Sequence, residues 1–276
     1  MTGGFGRILR MLSATVLGAI VAAGLLADLI APWPYERQFR EFTNAPPSSQ
    51  FPLGTDDLGR DRFSRLLHGT RISLLLAVVA AVLATAAAAI IGGLAGYYGG
   101  RWDRVVTDGT DLMLSLPWLF VLLTVRAMLP LDVAPAASVA ITFALLGLLD
   151  WAGPARIVRT GVRETLDSAF VLAARSRGLA RPRILLYHVL PHLVPVLTAQ
   201  FWISIPIFIL AEANLGMLGL GVTEPLPSWG GLLRELESQS TAILSLSVPL
   251  WLLAPVGVLL AVVGCFQILS TTEVTS

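Results

Sequence analysis

The feature that most constrains the fold of this chain is a series of apolar stretches, each about as long as a bilayer is thick. A helix crosses the hydrocarbon core with about 20 apolar residues. The sequence contains six such stretches, at residues 11–30, 72–96, 112–128, 134–151, 193–213 and 244–269. We therefore predict an all-α membrane protein with six transmembrane helices.

The composition supports the same class. Hydrophobic residues make up 55% of the 276 residues and charged residues only 13%, which is about half the charged share of soluble proteins. The first stretch follows Arg7 and Arg10, as a signal peptide would. It is too long for one, however, and lacks a small-residue cleavage site before the Pro-rich residues 31–34. We therefore predict a retained helix.

An arginine-rich polar segment separates the fourth and fifth stretches. Residues 155–195 contain seven arginines and only two acidic residues. Loops rich in arginine tend to stay in the cytoplasm, so we expect this segment on the inner side. Ser168 can cap a short helix there, Gly178 can supply the left-handed residue after it, and Pro182 can begin the next helix.

The absence of lysine limits the catalytic functions of this chain. All nineteen Lys and Arg residues are arginine, and a Walker A loop requires a lysine on the phosphates. The chain therefore cannot act as the ATPase of a transport cycle. No set of nucleophile, base and orienting residue can be assembled either, so we predict that the chain is not an enzyme.

The helix-turn-helix within the arginine-rich segment also resembles a known motif. Ala173-Ala174, Gly178 four residues later, and Leu190-Pro191 resemble the EAA loop of bacterial ABC importer permeases. Residues 52–71, 147–159 and 209–233 resemble the second permease subunit of dipeptide, oligopeptide and nickel importers. The resemblance implies the ABC importer type I permease fold.

That family's plan implies an organisation for the whole chain. It places an N-terminal helix and a periplasmic segment in residues 1–71. Residues 72–276 would form a five-helix permease core with a cytoplasmic EAA-like coupling loop at residues 155–192. The chain would be a multi-pass protein of the bacterial inner (plasma) membrane, with both termini in the cytoplasm.

The resemblance also implies partners. These are a homologous second permease subunit, two cytoplasmic ATPase subunits that bind ATP and Mg, and an extracytoplasmic substrate-binding protein. No cofactor is expected in this chain, and no nucleic acid. The residues expected to couple to the ATPases are Leu172, Ala173, Ala174, Arg175, Arg177, Gly178, Arg181 and Pro191.

Two positions depart from the family pattern. Leu172 stands where the loop usually has the glutamate of its name. The tail at residues 267–276 lacks the Gly-Asp and basic residues usual after the last helix. We expect that one polar contact to the ATPase is absent, or is replaced by an arginine such as Arg175.

Three residues after the coupling loop are candidates for the translocation pathway or its gate. Ionisable groups near a membrane are default functional candidates, and Glu212 lies near the outer end of the fifth stretch, with Asn214 beyond it. Glu212 could shape an outer gate, pair with the partner permease, or be an ordinary helix-end carboxylate. Trp229, in the following loop, could lie beside the pathway or be an interfacial belt aromatic. Arg126 is expected to reach water by snorkelling.

No metal site is predicted. His188 and His192 are four residues apart, but no Cys or carboxylate supplies further ligands. Cys265 is the single cysteine, and we interpret it as a small packing residue. In the outer segment, Thr55 or Asp57 could cap an interfacial helix whose arginines point away from its apolar side.

The sequence is least informative about the substrate. A conduit for bare cations would be expected to present His, Cys or carboxylate ligands. The six stretches instead consist mostly of apolar residues and of small residues such as Ala, Gly, Ser and Thr. Peptides are therefore favoured over nickel chelates or other small solutes. The rival from another class, an ATP-independent secondary transporter, predicts central ionisable residues or discontinuous helices.

Overall fold

The computed structural model describes residues 3–128, 134–238 and 249–271, and the regular elements in these ranges are helical. The first part of the chain forms α1 (Gly3–Leu25), α2 (Ala27–Ile30), α3 (Arg62–Tyr98), α4 (Gly100–Ser115), α5 (Trp118–Met128) and α6 (Pro135–Leu149). The second part forms α7 (Ala152–Leu166), α8 (Ala169–Ser176), α9 (Arg181–Ile184), α10 (Leu190–Met217), α11 (Trp229–Ser238) and α12 (Ala254–Thr271). The all-α prediction is confirmed.

The described helices fit four to six membrane crossings. Four spans are long and apolar enough by themselves, and six result if each of two bent helix pairs is one span. The third predicted stretch is not straight, because α4 and α5 meet at 86°. Leu116 adopts an extended conformation at this break, which is the conformation favoured before a proline such as Pro117. Residues 244–248 of the sixth stretch lie outside the described residues.

The prediction of a separate interfacial helix before the second stretch is wrong. A single helix, α3, runs for 37 residues from Arg62 to Tyr98. Its N-cap is Asp61, whose Oδ2 accepts hydrogen bonds from the Ser64 backbone N–H at 2.8 Å and from the Ser64 hydroxyl at 2.6 Å. A carboxylate at this position satisfies N–H groups that the first helical turn leaves free.

The chain divides into two compact units. Unit 1 comprises residues 1–78, 126–143 and 205–276, and unit 2 comprises residues 79–125 and 144–204. The boundary expected at residues 71 and 72 falls inside α3, and the corresponding functional division stays a prediction. Within unit 1, α1 packs against α12, and α11 also contacts α12.

Glycines in α3 allow close helix packing within unit 2. A Cβ at Gly96 would lie 2.7 Å from the carbonyl oxygen of Arg159, and a Cβ at Gly92 would collide with the backbone of Ala155. The backbones of α3 and α7 therefore approach more closely than larger residues would permit.

The core of unit 2 holds the arginine-rich segment in place. The buried face of α7 contributes Val158, Val162 and Leu166, and α8 contributes Val171 and Ala174. The cluster is completed by Ile184, Val189 and Leu193, with Tyr97, Leu179, Leu185 and Leu197 packed at its margin. Because α8 shares this core with α7, a displacement of α8 must also displace α7.

Candidate functional site

The short helix α8 presents an exposed surface above the core of unit 2. Leu172 is 52% exposed and Phe170 is 40% exposed, and Ala173, Arg175 and Arg177 are exposed as well. Ala174, by contrast, lies in the core. Of the residues predicted to couple to the ATPases, Ala174 therefore anchors the helix, while its neighbours face outward.

The end of α8 has the geometry that the sequence indicated. Gly178 has φ of +76°. Its N–H donates to the carbonyl of Arg175 at 2.9 Å, and the N–H of Leu179 donates to the carbonyl of Ala174 at 3.4 Å. These two bonds form a Schellman motif, and Leu179 then packs on the core. The predicted left-handed glycine is confirmed. The predicted cap at Ser168 is wrong, because the Ser168 hydroxyl donates to the carbonyl of Thr165 and makes no hydrogen bond to the first turn of α8.

The arginines of the segment divide into two groups. On α7, Arg159 and Arg163 both pair with Asp103 of α4, and Arg156 pairs with Asp111 of α4. These arginines join two helices of unit 2. Arg175 and Arg177 make no ion pair with any carboxylate in the described ranges. Arg183 is likewise exposed and makes no ion pair in the described ranges, so these three arginines leave their charge available to a partner.

Sequence reasoning missed Asp103 and Asp111, because it sought acidic partners within the segment itself. The only local signal is that α4 carries acidic residues on an amphipathic helix.

The last predicted coupling residues lie where α9 leads into α10. A π-helical turn, Leu185–Val189, precedes α10, and the N–H of Leu190 bonds the carbonyl of Leu185. Pro191, which has no N–H to donate, follows directly and is exposed. π-Helical turns inside helices often lie at functional sites, and a proline removes one hydrogen bond of the helix. The side chain of Arg181 lies outside the described residues.

In unit 1, Glu212 is buried in a polar cluster rather than exposed at a helix end. Its side chain is fully buried on α10, and its Oε2 accepts hydrogen bonds from Ser73 at 3.3 Å and from the N–H of Gly230 at 3.4 Å. The Ser73 hydroxyl also accepts the N–H of Trp229 at 3.1 Å. A carboxylate at the start of α11 is favoured by the helix dipole. Asn214 lies beyond the cluster and is exposed.

Trp229 is also fully buried. Its indole N–H donates to the Thr70 hydroxyl at 3.1 Å, so it is not a belt aromatic at an interface. Together, Glu212 and Trp229 fasten α11 to α10 and to the first turns of α3.

A second cluster, built from charges, lies at the N-terminal end of α3. Arg65 is 1% exposed and pairs with Glu224 at 3.0 Å and with Glu235. Arg60 pairs with Asp56 at 2.6 Å and with Glu224 at 2.5 Å. Sequence reasoning did not pair these arginines with Glu224 and Glu235, which lie more than 150 positions along the chain, whereas Asp56 lies only four residues before Arg60.

The pKa values of the two glutamates in this charge cluster shift in opposite directions. Burial raises the pKa of Glu224, but the hydrogen bonds from Arg65 and Arg60 lower it further, so the net pKa lies below its ordinary value. Burial raises the pKa of Glu235 above its ordinary value despite the nearby arginines. Glu224 is therefore the carboxylate that neutralises the arginines most firmly.

The remaining candidates differ in their surroundings. Arg126 is fully buried and donates to the Ser138 hydroxyl at 2.8 Å, so the expectation that it snorkels to water was wrong. The ring of His192 stacks on that of Phe170, with the ring centroids 4.6 Å apart.

Within the described ranges, no three His, Cys, Asp or Glu side chains are grouped to hold a metal ion.

Comparison with known proteins places these features in context. Residues 88–264 match the family described as binding-protein-dependent transport system inner membrane component. The chain is 33% identical to the dipeptide transport system permease protein DppC of Bacillus subtilis, over 82% of this chain and 69% of that protein.

Two further relatives are similarly close. The chain is 34% identical to the di/tripeptide transport system permease protein DppC of Pseudomonas aeruginosa, over 84% of this chain and 75% of that protein. It is 32% identical to the glutathione transport system permease protein GsiD of Pectobacterium atrosepticum, over 84% of this chain and 77% of that protein.

Proposed function

The chain belongs to the family of binding-protein-dependent transport system inner membrane components, and on that premise we propose that it forms half of the translocation pathway of an ATP-driven peptide importer. As a member of that family it is a non-catalytic, multi-pass inner-membrane subunit that works with ATPase and binding-protein partners. We also propose that the complex contains one homologous permease and two ATPase subunits, and that both termini of this chain lie in the cytoplasm.

The observation that supports this proposal best is the exposed surface of α8. It combines apolar Leu172 with Arg175 and Arg177, which make no ion pair within the described parts of the chain. The Schellman motif and the core of unit 2 fix its position. An exposed apolar residue with charges around it is typical of a protein-docking surface. Because Leu172 replaces the usual glutamate, the docking contact at this position is apolar.

Transport would follow from movement of this surface. Closure of the ATPases on ATP would displace α8, and the shared core would move α7 with it. The ion pairs of Arg159 and Arg163 with Asp103 would pass that movement to α4. Packed elements of this kind move as rigid bodies between two states, which is the basis of alternating access.

Peptides are the proposed substrate class. The named relatives are permeases for dipeptides, tripeptides and glutathione, which is itself a tripeptide. The pathway helices offer few metal ligands, and Cys265 is buried in α12. Import of a nickel chelate is the second candidate.

The proposed function is tested by reconstituting the full importer in lipid vesicles. We expect ATP-dependent peptide uptake that requires the binding protein, and no ATP hydrolysis by this chain alone. Mass spectrometry of ligands retained by the cognate binding protein should recover short peptides. Recovery of a nickel chelate or a sugar would overturn the substrate class, and ATP turnover by the isolated chain would contradict its role as a non-catalytic subunit.

Replacing Gly178 by valine is expected to release the ATPases while the chain remains in the membrane. A β-branched residue adopts positive φ at a cost of roughly 1–2 kcal/mol, so the Schellman end of α8 should open. No neighbouring atom lies within 4 Å of a Cβ placed there, so the effect comes from the backbone conformation alone. Co-purification of the ATPases with the tagged chain measures it.

The matched control is Gly178→Asn, because asparagine tolerates the left-handed conformation better than valine does. It should retain the ATPases. The companion variant Leu172→Glu restores the residue usual in the family and is expected to strengthen retention. Normal ATPase recovery and normal uptake with Gly178→Val would mean that α8 is not the docking surface.

A further inference from the structure

A cavity of about 380 Å³ lies in unit 1, between the turn at residues 57–60 and the segment at residues 216–235. This volume falls in the lower part of the range for small-ligand sites. Glycine backbone forms part of its wall, at Gly216, Gly219, Gly221 and Gly231. The cavity therefore exposes peptide groups as well as side chains to anything that enters it.

Two opposite charges on this wall make no ion pair in the described parts of the chain, although Asp57 interacts electrostatically with Arg62. Asp57 and Arg234 both line the cavity and are both exposed, yet neither takes part in an ion pair there, whether with each other or with a third group. A carboxylate and a guanidinium that share one cavity without touching match a ligand with a positive group and a negative group.

The other charges of the wall are already neutralised. Arg60 pairs with Asp56 at 2.6 Å and with Glu224 at 2.5 Å, and Arg65 also pairs with Glu224, at 3.0 Å. A ligand would also meet Glu224, whose side chain is 55% exposed but already ion-paired. Asp57 and Arg234 are the lining charges without an ion pair in the described residues.

Arg234 is held in a defined position. Gly219 has φ of +75°, and a Cβ at this position would lie 2.9 Å from a guanidinium nitrogen of Arg234. The guanidinium thus lies against bare glycine backbone. A planar guanidinium of this kind suits a carboxylate, which it can bind through two parallel hydrogen bonds.

We propose that this cavity is a subsite for the two termini of a short peptide, with Arg234 binding the terminal carboxylate and Asp57 binding the terminal ammonium. The inference rests on the proposed function and adds a selection step in the permease itself. A bare metal ion does not fit, because an exposed guanidinium would repel it. An uncharged solute would leave both charges unused.

The test compares blocked and free peptides in the full importer, reconstituted with its binding protein and ATP. The probes are a dipeptide with free termini, its C-terminal amide and its N-acetyl derivative, each at a concentration that saturates the binding protein. Since the binding protein is the same throughout, a change in the uptake ratio between two probes reports on the permease.

Arg234→Gln is expected to lower uptake of the free dipeptide relative to the amide by about tenfold or more, the effect of losing a hydrogen bond to a charged group. Asp57→Asn should lower uptake of the free dipeptide relative to the N-acetyl form in the same way. Arg234→Lys should keep part of the preference, because a point charge remains. Arg40→Gln, an exposed arginine of the outer segment that does not line the cavity, should change neither ratio.

Unchanged ratios with normal peptide uptake would overturn the subsite and leave the proposed function intact. An equal loss for all three probes, together with weaker docking of the binding protein, would also overturn it, because the two charges would then serve the protein partner. Absence of peptide uptake by the wild-type importer would overturn the proposed function and the subsite together.

Discussion

Replacing Arg65 by alanine is expected to destabilise the protein by about 3–5 kcal/mol, the cost of breaking a buried ion pair by removing one partner. Arg65 is 1% exposed, and it contacts Glu224, Glu235 and Asp56. Its removal leaves two poorly exposed carboxylates, Asp56 at 1% and Glu235 at 16%, with Arg60 as the cation that still pairs with both. Denaturant titration of the solubilised chain measures the free energy of unfolding, and peptide uptake should be lost in parallel.

The matched control for Arg65→Ala is Arg40→Ala. Arg40 belongs to the same outer segment but is exposed, so its replacement should change the free energy of unfolding by no more than about 0.5 kcal/mol. Arg65→Lys should fall between the two, because lysine keeps the charge but cannot hold several carboxylate oxygens in a planar fork. Equal stability of the Arg65 and Arg40 alanine variants would show that the charge cluster does not stabilise the fold.

Replacing Gly216 by alanine is expected to disrupt the crossing of α10 and α11. A Cβ at Gly216 would collide with the backbone of Gly230. On the other side of the crossing, a Cβ at Gly230 would lie 2.7 Å from the carbonyl oxygen of Glu212. Overpacking commonly costs about 1–3 kcal/mol of stability. The cost here should lie at the upper end of that range, because backbone atoms cannot relieve the clash by a change of rotamer as a side chain can. Limited proteolysis and peptide uptake measure the result.

Gly264→Ala is the matched control for this crossing. Gly264 also lies in an apolar helix, α12, but no atom lies within 4 Å of a Cβ placed there. Alanine should be neutral at that position or stabilise the helix by up to about 1 kcal/mol. If both alanine variants resist proteolysis and transport peptide as the wild type does, the contact of α10 with α11 is not needed for the fold or for transport.

Glu212 illustrates how far sequence reasoning could reach. Its position near the end of an apolar stretch was visible, and so was its character as an ionisable group near a membrane. Its burial was not, because this depends on Ser73, which is 139 residues away, and on Gly230, which is 18 residues away. Whether it acts in a gate stays a prediction, but its surroundings now identify the helices it would hold together.

The sequence by itself determined the features that arise within short windows of the chain. The lengths of the apolar stretches determined that this is a membrane protein. The glycine after the short helix determined the left-handed conformation at Gly178, at the end of α8. The tertiary structure alone decided which charges are paired. Arg159 meets Asp103 across 56 residues, and Arg65 meets Glu224 across 159 residues. Local conformation follows from neighbouring residues, whereas burial and ion pairing depend on which distant helices pack together, and no short stretch of sequence contains that information.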